Sequence, residues 1–368
     1  LSRLFRLLAL LLVAFVLLAV LALIGLFIVS GGQPVDFVQT AIVRLSIAGR
    51  EADLNRAVST DDTPVRFTVN PGDVPRVIAS NLADQNLILD PDLFVSYVRA
   101  TDIDSQLRAG TYFLNRAQTI PEIAQTLIDP RGGQFAFRIL EGWRIEEIAE
   151  RVIDGNPYFP FSGAEFLTVV GSGADVPAEF ADYVDLPEGA SLEGFLFPDT
   201  YQLPAQITPE LLRDLLLERF TEQVDPALAE AAAEQGLTLY EAVTLASIIQ
   251  REAVHPDEHP MISSVYRNRL EINQRLEADP TVQYPIGRAG DWWPQITQAD
   301  YQAVVSPYNT YRVNGLPPGP IANPGISAIR AAIQPAESPY YYFRARCTQD
   351  GYHNFARTFE EHVANACP

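Results

Sequence analysis

The chain has 368 residues, 48% of them hydrophobic, enough for one large core or two moderate ones. Its formal net charge of −20 opposes a polyanion, so no nucleic-acid partner is expected. All 26 basic residues are arginines, which excludes a G-x-x-x-x-G-K-[ST] phosphate loop, an S-x-x-K motif and a Schiff-base lysine; no G-x-S-x-G elbow is present either.

Residues 7–29 carry no charge and are nearly all Leu, Val, Ala, Ile and Phe. As a helix, the run is long enough to cross a hydrocarbon core of about 30 Å. Arg3 and Arg6 precede it, and Asp36 is the first charge after it. The positive-inside rule then makes residues 1–6 a short cytoplasmic N-terminus and puts everything beyond Val29 outside the plasma or inner membrane. A cleaved signal peptide is the rival, but its apolar core usually has only about 7–15 residues. Ser30-Gly31-Gly32-Gln33-Pro34 is also a poor cleavage site, so an uncleaved single-pass anchor is expected. The chain opens on Leu rather than Met, which leaves room for a few residues ahead of it.

Residues 30–64 read as a spacer, with a weak helical pattern over 37–58 that Asp61-Asp62-Thr63-Pro64 ends. A compact unit follows over 65–131. Val65 to Val69 alternates as a strand, and Asn70-Pro71-Gly72 makes a turn. A helix over 73–87 carries Val74, Val77, Ile78 and Leu82 on one face. A second helix, 92–100, is opened by Asp90 as cap and Pro91. A strand over 110–114 and a helix over 121–128 complete the unit. This strand–helix–helix–strand order resembles a LysM-like module, a fold associated with N-acetylglucosamine polymers. A small α+β scaffold with no sugar site is the alternative.

Residues 132–368 form the third part. A strand over 135–140 leads through Glu141-Gly142-Trp143-Arg144 into a helix over 145–153. Helices are expected over 164–170, 209–223, 226–235 and 239–251. The last third is rich in Pro, Gly, Tyr and Asn, too aromatic and apolar for disorder, and reads as ordered loops. Cys347 and Cys367 fit no zinc spacing; a disulfide stapling the tail and a pair of free thiols are both open.

Glu252 is the leading candidate for chemistry. On a helix it lies in line with Leu245 and above Ile248 and Ile249. A carboxyl on an apolar stripe loses hydration, its pKa rises, and it becomes a general acid near neutral pH. A helix-end Glu reaching for solvent is the bland alternative. His255-Pro256-Asp257-Glu258-His259 matches the H-x-x-E-H zinc string, but Pro260 is expected to disrupt a helix after His259. A solvated turn is the better reading, and no metal site is assigned. Three loops mix aromatic rings, carboxylates and amides in a way that suits a sugar's apolar faces and polar edges. The first holds Glu193, Phe197, Asp199 and Tyr201, and the second Asp279, Thr281 and Tyr284. The third holds Tyr308, Asn309 and Tyr311 and runs on through Gly315-Leu316-Pro317-Pro318-Gly319 to Asn323. Rigid structural loops are the alternative for each.

These strings resemble the YceG-like (MltG) endolytic murein transglycosylase family. The matching pieces are Glu141-Gly142, 193–201, Ala246-Ser247-Ile248-Ile249-x-x-Glu252, Asn268-Arg269-Leu270, Leu276-x-x-Asp279-Pro280-Thr281-Val282-x-Tyr284, 308–311, 315–325 and His353-x-Phe355, in the family's order. The resemblance implies an α+β protein: an N-terminal transmembrane helix, a small LysM-like subdomain, then a mixed α+β catalytic domain whose helix carries the catalytic Glu. It implies cleavage of nascent peptidoglycan strands between N-acetylmuramic acid and N-acetylglucosamine, leaving 1,6-anhydro ends and terminating strand elongation. The essential Glu falls on Glu252, no cofactor is implied, and a peptidoglycan synthase is the protein partner to expect. The family usually has Glu-x-Glu where this chain has Gln250-Arg251-Glu252. Gln250, Asn309 or Asn323 are candidates to hold the sugar's acetamido group. Two rival readings stand beside this one. A hydrolase would pair Glu252 with Asp199, Glu193 or Asp279 at about 5–9 Å. A wall-binding scaffold would use Glu252 structurally.

Overall fold

The computed structural model describes residues 18, 20–22, 24, 25, 27, 28, 47–129 and 131–367. Most of the expected anchor lies outside them. Its described positions are helical with exposed apolar side chains, and no helix among the described residues is long and apolar enough to cross a membrane. The rest is mixed α+β and divides into two compact units between Gln134 and Phe135.

In the first unit, α1 (Glu51–Leu54) precedes β1 (Val65–Val69), α2 (Pro75–Asp84), α3 (Pro91–Ala100), β2 (Gly110–Leu114) and α4 (Ile120–Ile128). β1 and β2 pair antiparallel, with Val65 opposite Leu114 and Val69 opposite Gly110. Alternation buries Phe67 and Val69 against Ile78, Leu82, Phe94, Val98, Ile123 and Leu127. Asp90 caps α3 by accepting from the Leu93 amide at 2.9 Å, as its sequence suggests. The expected face of α2 needs correction. Ile78, Ala79 and Leu82 are buried, whereas Val74 and Val77 are exposed. Val74 precedes the first helical residue, and Val77 lies well round the helix from the Ile78–Leu82 stripe. Ile47 and Leu54, read as spacer, pack against this core, and Arg50 pairs with Asp90 at 2.9 Å.

The second unit begins within β3 (Gln134–Arg138), which pairs with β4 (Thr200–Pro204). Between them lie α5 (Ile145–Ile148), running into a π-helical turn over Ala149–Ile153, then α6 (Gly163–Val170) and α7 (Ala178–Val184). After β4 come α8 (Pro209–Gln223), α9 (Pro226–Glu234), α10 (Leu239–Glu252), α11 (His259–Glu271), α12 (Pro280–Gln283), α13 (Asp300–Ala303) and α14 (Ile326–Ile333). An antiparallel hairpin of β5 (Tyr342–Ala345) and β6 (His353–Ala356) precedes α15 (Phe359–Ala364). α10 is the central helix. Thr238 and Glu241 close a capping box at its start, and the run from Ala242 to Ile249 is buried on every side. Ala242, Ala246 and Ser247 keep its surface low, and α14, with Ala328, Ala331 and Ala332 buried, packs against it. Cys347 and Cys367 are joined in a disulfide, which decides between the two readings of that pair.

Candidate active site

Glu252 is the last residue of α10, at the point where the chain leaves the core. It is half-buried in a cleft of about 600 Å³. Burial pushes its carboxyl up from 4.5 to about 7, helped by the negative charge of Asp279 and opposed by Tyr266, Arg269 and Arg251. The Tyr266 hydroxyl, from the fully buried side of α11, donates to Glu252 Oε1 at 2.8 Å. Oε2 accepts no hydrogen bond from the described residues, which leaves it as the oxygen able to exchange a proton across the cleft.

Asp279 shares the cleft. Tyr311 donates to its Oδ1 at 2.7 Å and stacks on Tyr301 with ring centroids 4.0 Å apart. This aromatic pair is set by residues behind it. Asn309 is wholly buried; its amide donates to the Tyr301 and Val304 carbonyls and accepts from the Tyr311 amide. Thr281 donates to the Ala278 carbonyl at 2.6 Å and meets the Thr310 hydroxyl at 2.8 Å, which holds the turn that presents Asp279. The remaining wall comes from β5, β6 and α15, with Phe343, Arg344, His353 and His362. Glu258 accepts from the His353 backbone amide and pairs with its Nδ1 at 2.8 Å, which fixes the ring.

Of the loop residues singled out from sequence, only Asp279 and Tyr311 line this cleft with Glu252. Glu193 and Asn323 form a sealed clamp elsewhere. Asn323 Oδ1 accepts from the Gly194 and Leu196 amides at 3.0 and 2.9 Å. Its Nδ2 donates to the Trp143 carbonyl and to Glu193 Oε1, and Glu193 also accepts from the Ile145 amide. Burial raises the Glu193 carboxyl well above its usual range, with Glu146 adding to the rise. Gly194 sits at φ +94°, and a Cβ there would lie 2.5 Å from Pro320, so the clamp needs glycine at this corner.

The other expected sugar contacts also have protein partners. Asp199 pairs with Arg219 at 2.8 Å, Phe197 is buried, and Tyr201 donates to the Phe197 carbonyl. Tyr284 lies 4.0 Å under the Arg144 guanidinium and 4.8 Å from the Tyr308 ring. Gln250 Oε1 accepts from the Gly325 amide at 3.0 Å. A glutamate oxygen could accept the same bond, so the departure from Glu-x-Glu preserves the acceptor.

The H-x-x-E-H string is not a solvated turn. Pro256–Glu258 is a short 3₁₀ turn, and α11 starts at His259 with Pro260 in its first turn, where a missing N–H costs nothing. Pro260 therefore opens a helix instead of breaking one. His255 stacks on Tyr352, Glu258 pairs with His353, and His259 Nδ1 meets Ser327 at 3.1 Å. The sequence reading missed Tyr266, Arg344 and His362. A stripe at Ile262, Val265, Tyr266 and Arg269 is the signal that points to α11, because two polar groups at helical spacing among apolar ones mark a partner for a buried acid.

Comparisons with known proteins place the chain in a family. The model of the YceG-like family matches residues 67–367. An endolytic murein transglycosylase from Bacillus subtilis is 31% identical over 309 residues, covering 82% of this chain and 83% of that protein. One from Streptococcus pneumoniae is 28% identical over 311 residues, covering 78% of this chain and 55% of the relative, so the chain spans about half of the pneumococcal protein. A crystal structure of a YceG-like protein from Listeria monocytogenes superposes with a TM-score of 0.55 at 29% identity, covering 82% of this chain and 98% of that one. With the family model running over residues 67–367 and a relative 31% identical over most of both chains, the chain belongs to the YceG-like family.

Proposed function

We propose that this chain is an endolytic murein transglycosylase in which Glu252 acts as both acid and base. The observation that carries the reading is a carboxyl pushed up to about 7 with one oxygen open to a cleft. Neutral Glu252 donates its proton to the glycosidic oxygen between N-acetylmuramic acid and N-acetylglucosamine as the C1–O bond breaks toward an oxocarbenium-like state. The resulting carboxylate takes the proton of the muramyl C6 hydroxyl, whose oxygen bonds to C1 of the same ring. The ring closes as a 1,6-anhydro end and no water is consumed. An internal nucleophile needs no bound water and loses little entropy on reaction. Tyr266 holds Oε1 throughout, so one oxygen performs both transfers.

The presence of Asp279 in the same cleft favours a second reading, in which Asp279 positions a water and the enzyme is a hydrolase. Mass spectrometry of glycan fragments released by the full chain in detergent, beside Glu252→Gln, separates the two. Anhydro-muramyl ends that vanish in the variant support the transglycosylase. Reducing ends that vanish support the hydrolase. Cleavage that survives in Glu252→Gln removes Glu252 from the chemistry.

The wider reading places the N-terminus in the cytoplasm, the apolar run 7–29 across the membrane and both compact units outside. The disulfide is consistent with an oxidising compartment. The strand–helix–helix–strand unit acts as a LysM-like strand-binding module. An enzyme anchored in this way meets strands as a synthase releases them, which makes a peptidoglycan synthase its natural partner. Protease protection of the 47–367 region in sealed, right-side-out cells would contradict this topology.

A further inference from the structure

We infer that the wall built by β5 and α15 is an anion subsite that takes a carboxylate of the peptide stem on the muramyl unit. This inference rests on the murein reading above and names the part of the substrate that the rest of the cleft leaves unrecognised.

The cleft is divided by charge. Glu252, Glu277 and Asp279 are three of its lining residues, while Arg344, His353 and His362 come from the hairpin and the last helix. Arg344 is half-buried, yet its side chain has no hydrogen bond or ion pair with another described residue. Arg269, in the same cleft, has protein partners: its Nε and Nη1 donate to the carbonyls of Tyr341, Arg275 and Leu276, and it pairs with Glu277. The chain holds 46 acidic residues against 26 basic ones, so carboxylate partners are plentiful. A guanidinium that is partly desolvated and unpaired in that setting is poised for an anion from outside.

His362 supplies a second, independent feature. Its Nδ1 is buried and has no partner. The ring is held against Tyr342 and Phe359, with centroids 5.5 and 6.1 Å away, so its orientation is set before any ligand arrives. Burial, and after it the charge of Arg344, lower the pKa of the His362 ring, so the positive charge of this wall rests on Arg344. The disulfide joins the two ends of the segment that carries β6 and α15, its cysteines 20 positions apart in the chain, and so keeps this wall in place.

The glycan backbone offers hydroxyls and acetamido groups; its charge sits on the stem. A free stem carboxylate matches Arg344 in charge and fork geometry. Glu277 and Asp279 repel it and steer it toward the Arg344 end. The consequence is a preference for strands whose stems keep free carboxylates over strands whose stems are amidated.

The test compares lipid-free strands with free and with amidated stem carboxylates, using the full chain and its Arg344→Gln and Arg344→Lys variants. Because these strands carry no lipid phosphate, any preference comes from the stem. The wild type is expected to show a KM roughly tenfold lower for the free-carboxylate strands, Arg344→Gln to lose that ratio and Arg344→Lys to keep part of it. Binding of a stem-bearing disaccharide to Glu252→Gln, with and without Arg344→Gln, reads the same contact without catalysis. An equal ratio in wild type and Arg344→Gln overturns the subsite and leaves the enzymatic reading standing. Arg344-dependent binding without any strand cleavage keeps the subsite and overturns the enzymatic reading.

Discussion

Two glutamates in the second unit, Glu193 and Glu252, are both pushed up by burial, and only one of them faces a cleft. Glu193 is 1% exposed and its oxygens meet the Ile145 amide and Asn323. Glu252 has one oxygen held by Tyr266 and the other open. A raised pKa therefore marks burial at both positions, and access alone separates an acid that can reach a substrate from one that closes a clamp.

The largest expected effect breaks the pair at Glu252. Glu252→Gln should lower kcat for strand cleavage by roughly 10²–10⁴-fold, the usual worth of a general acid, while circular dichroism stays unchanged. The same change should also alter the pH dependence of stability. A carboxyl whose folded pKa of about 7 lies above its unfolded value favours the fold most below the unfolded value and loses that contribution as pH rises through about 7. Denaturant midpoints across that window should fall more steeply in wild type than in Glu252→Gln.

Asn323→Ala attacks the other member of the pair. It strips partners from the Gly194 and Leu196 amides and the Glu193 carboxyl, and should cost on the order of 3 kcal/mol in urea unfolding. Activity should fall only with the folded fraction; a loss of kcat in fully folded protein would tie the clamp to the chemistry. Tyr266→Phe should have a smaller effect. The hydrogen bond lowers the Glu252 pKa, so its loss should move the alkaline limb of the kcat/KM profile to higher pH. A limb that stays put would mean that another group sets it. The mildest change is Glu193→Gln. A carboxyl raised by burial and replaced by a near-isosteric amide in a sealed clamp should alter stability by about 1 kcal/mol and leave the cleavage products as they are.

The sequence made one half of this comparison legible and hid the other. α10 announces itself through its capping box and its unbroken apolar run, and the position of Glu252 on that stripe follows from helical geometry. Tyr266, 14 residues further on, belongs to a helix whose start was misread because Pro260 acts as an opener or a breaker according to where the helix begins. Glu193, Asn309 and Asn323 sit in loops with the composition of a sugar site. Their polar atoms are spent on backbone groups, and composition does not reveal whether an amide faces a ligand or a neighbouring loop. Arg344 and His362 follow from no local pattern, since the hairpin and helix that present them meet the cleft only through tertiary packing.

The order of the chain gives the disulfide a further meaning. Glu252, Tyr266 and Asp279 all precede Cys347, whereas His353 and His362 lie between the two cysteines. A growing chain therefore contains its acid well before it contains the opposite wall, and the ring closes only after residue 367 has been made and oxidised. The cleft is assembled in time as well as in space, so an unfinished chain holds Glu252 before it holds the segment that completes the cleft wall.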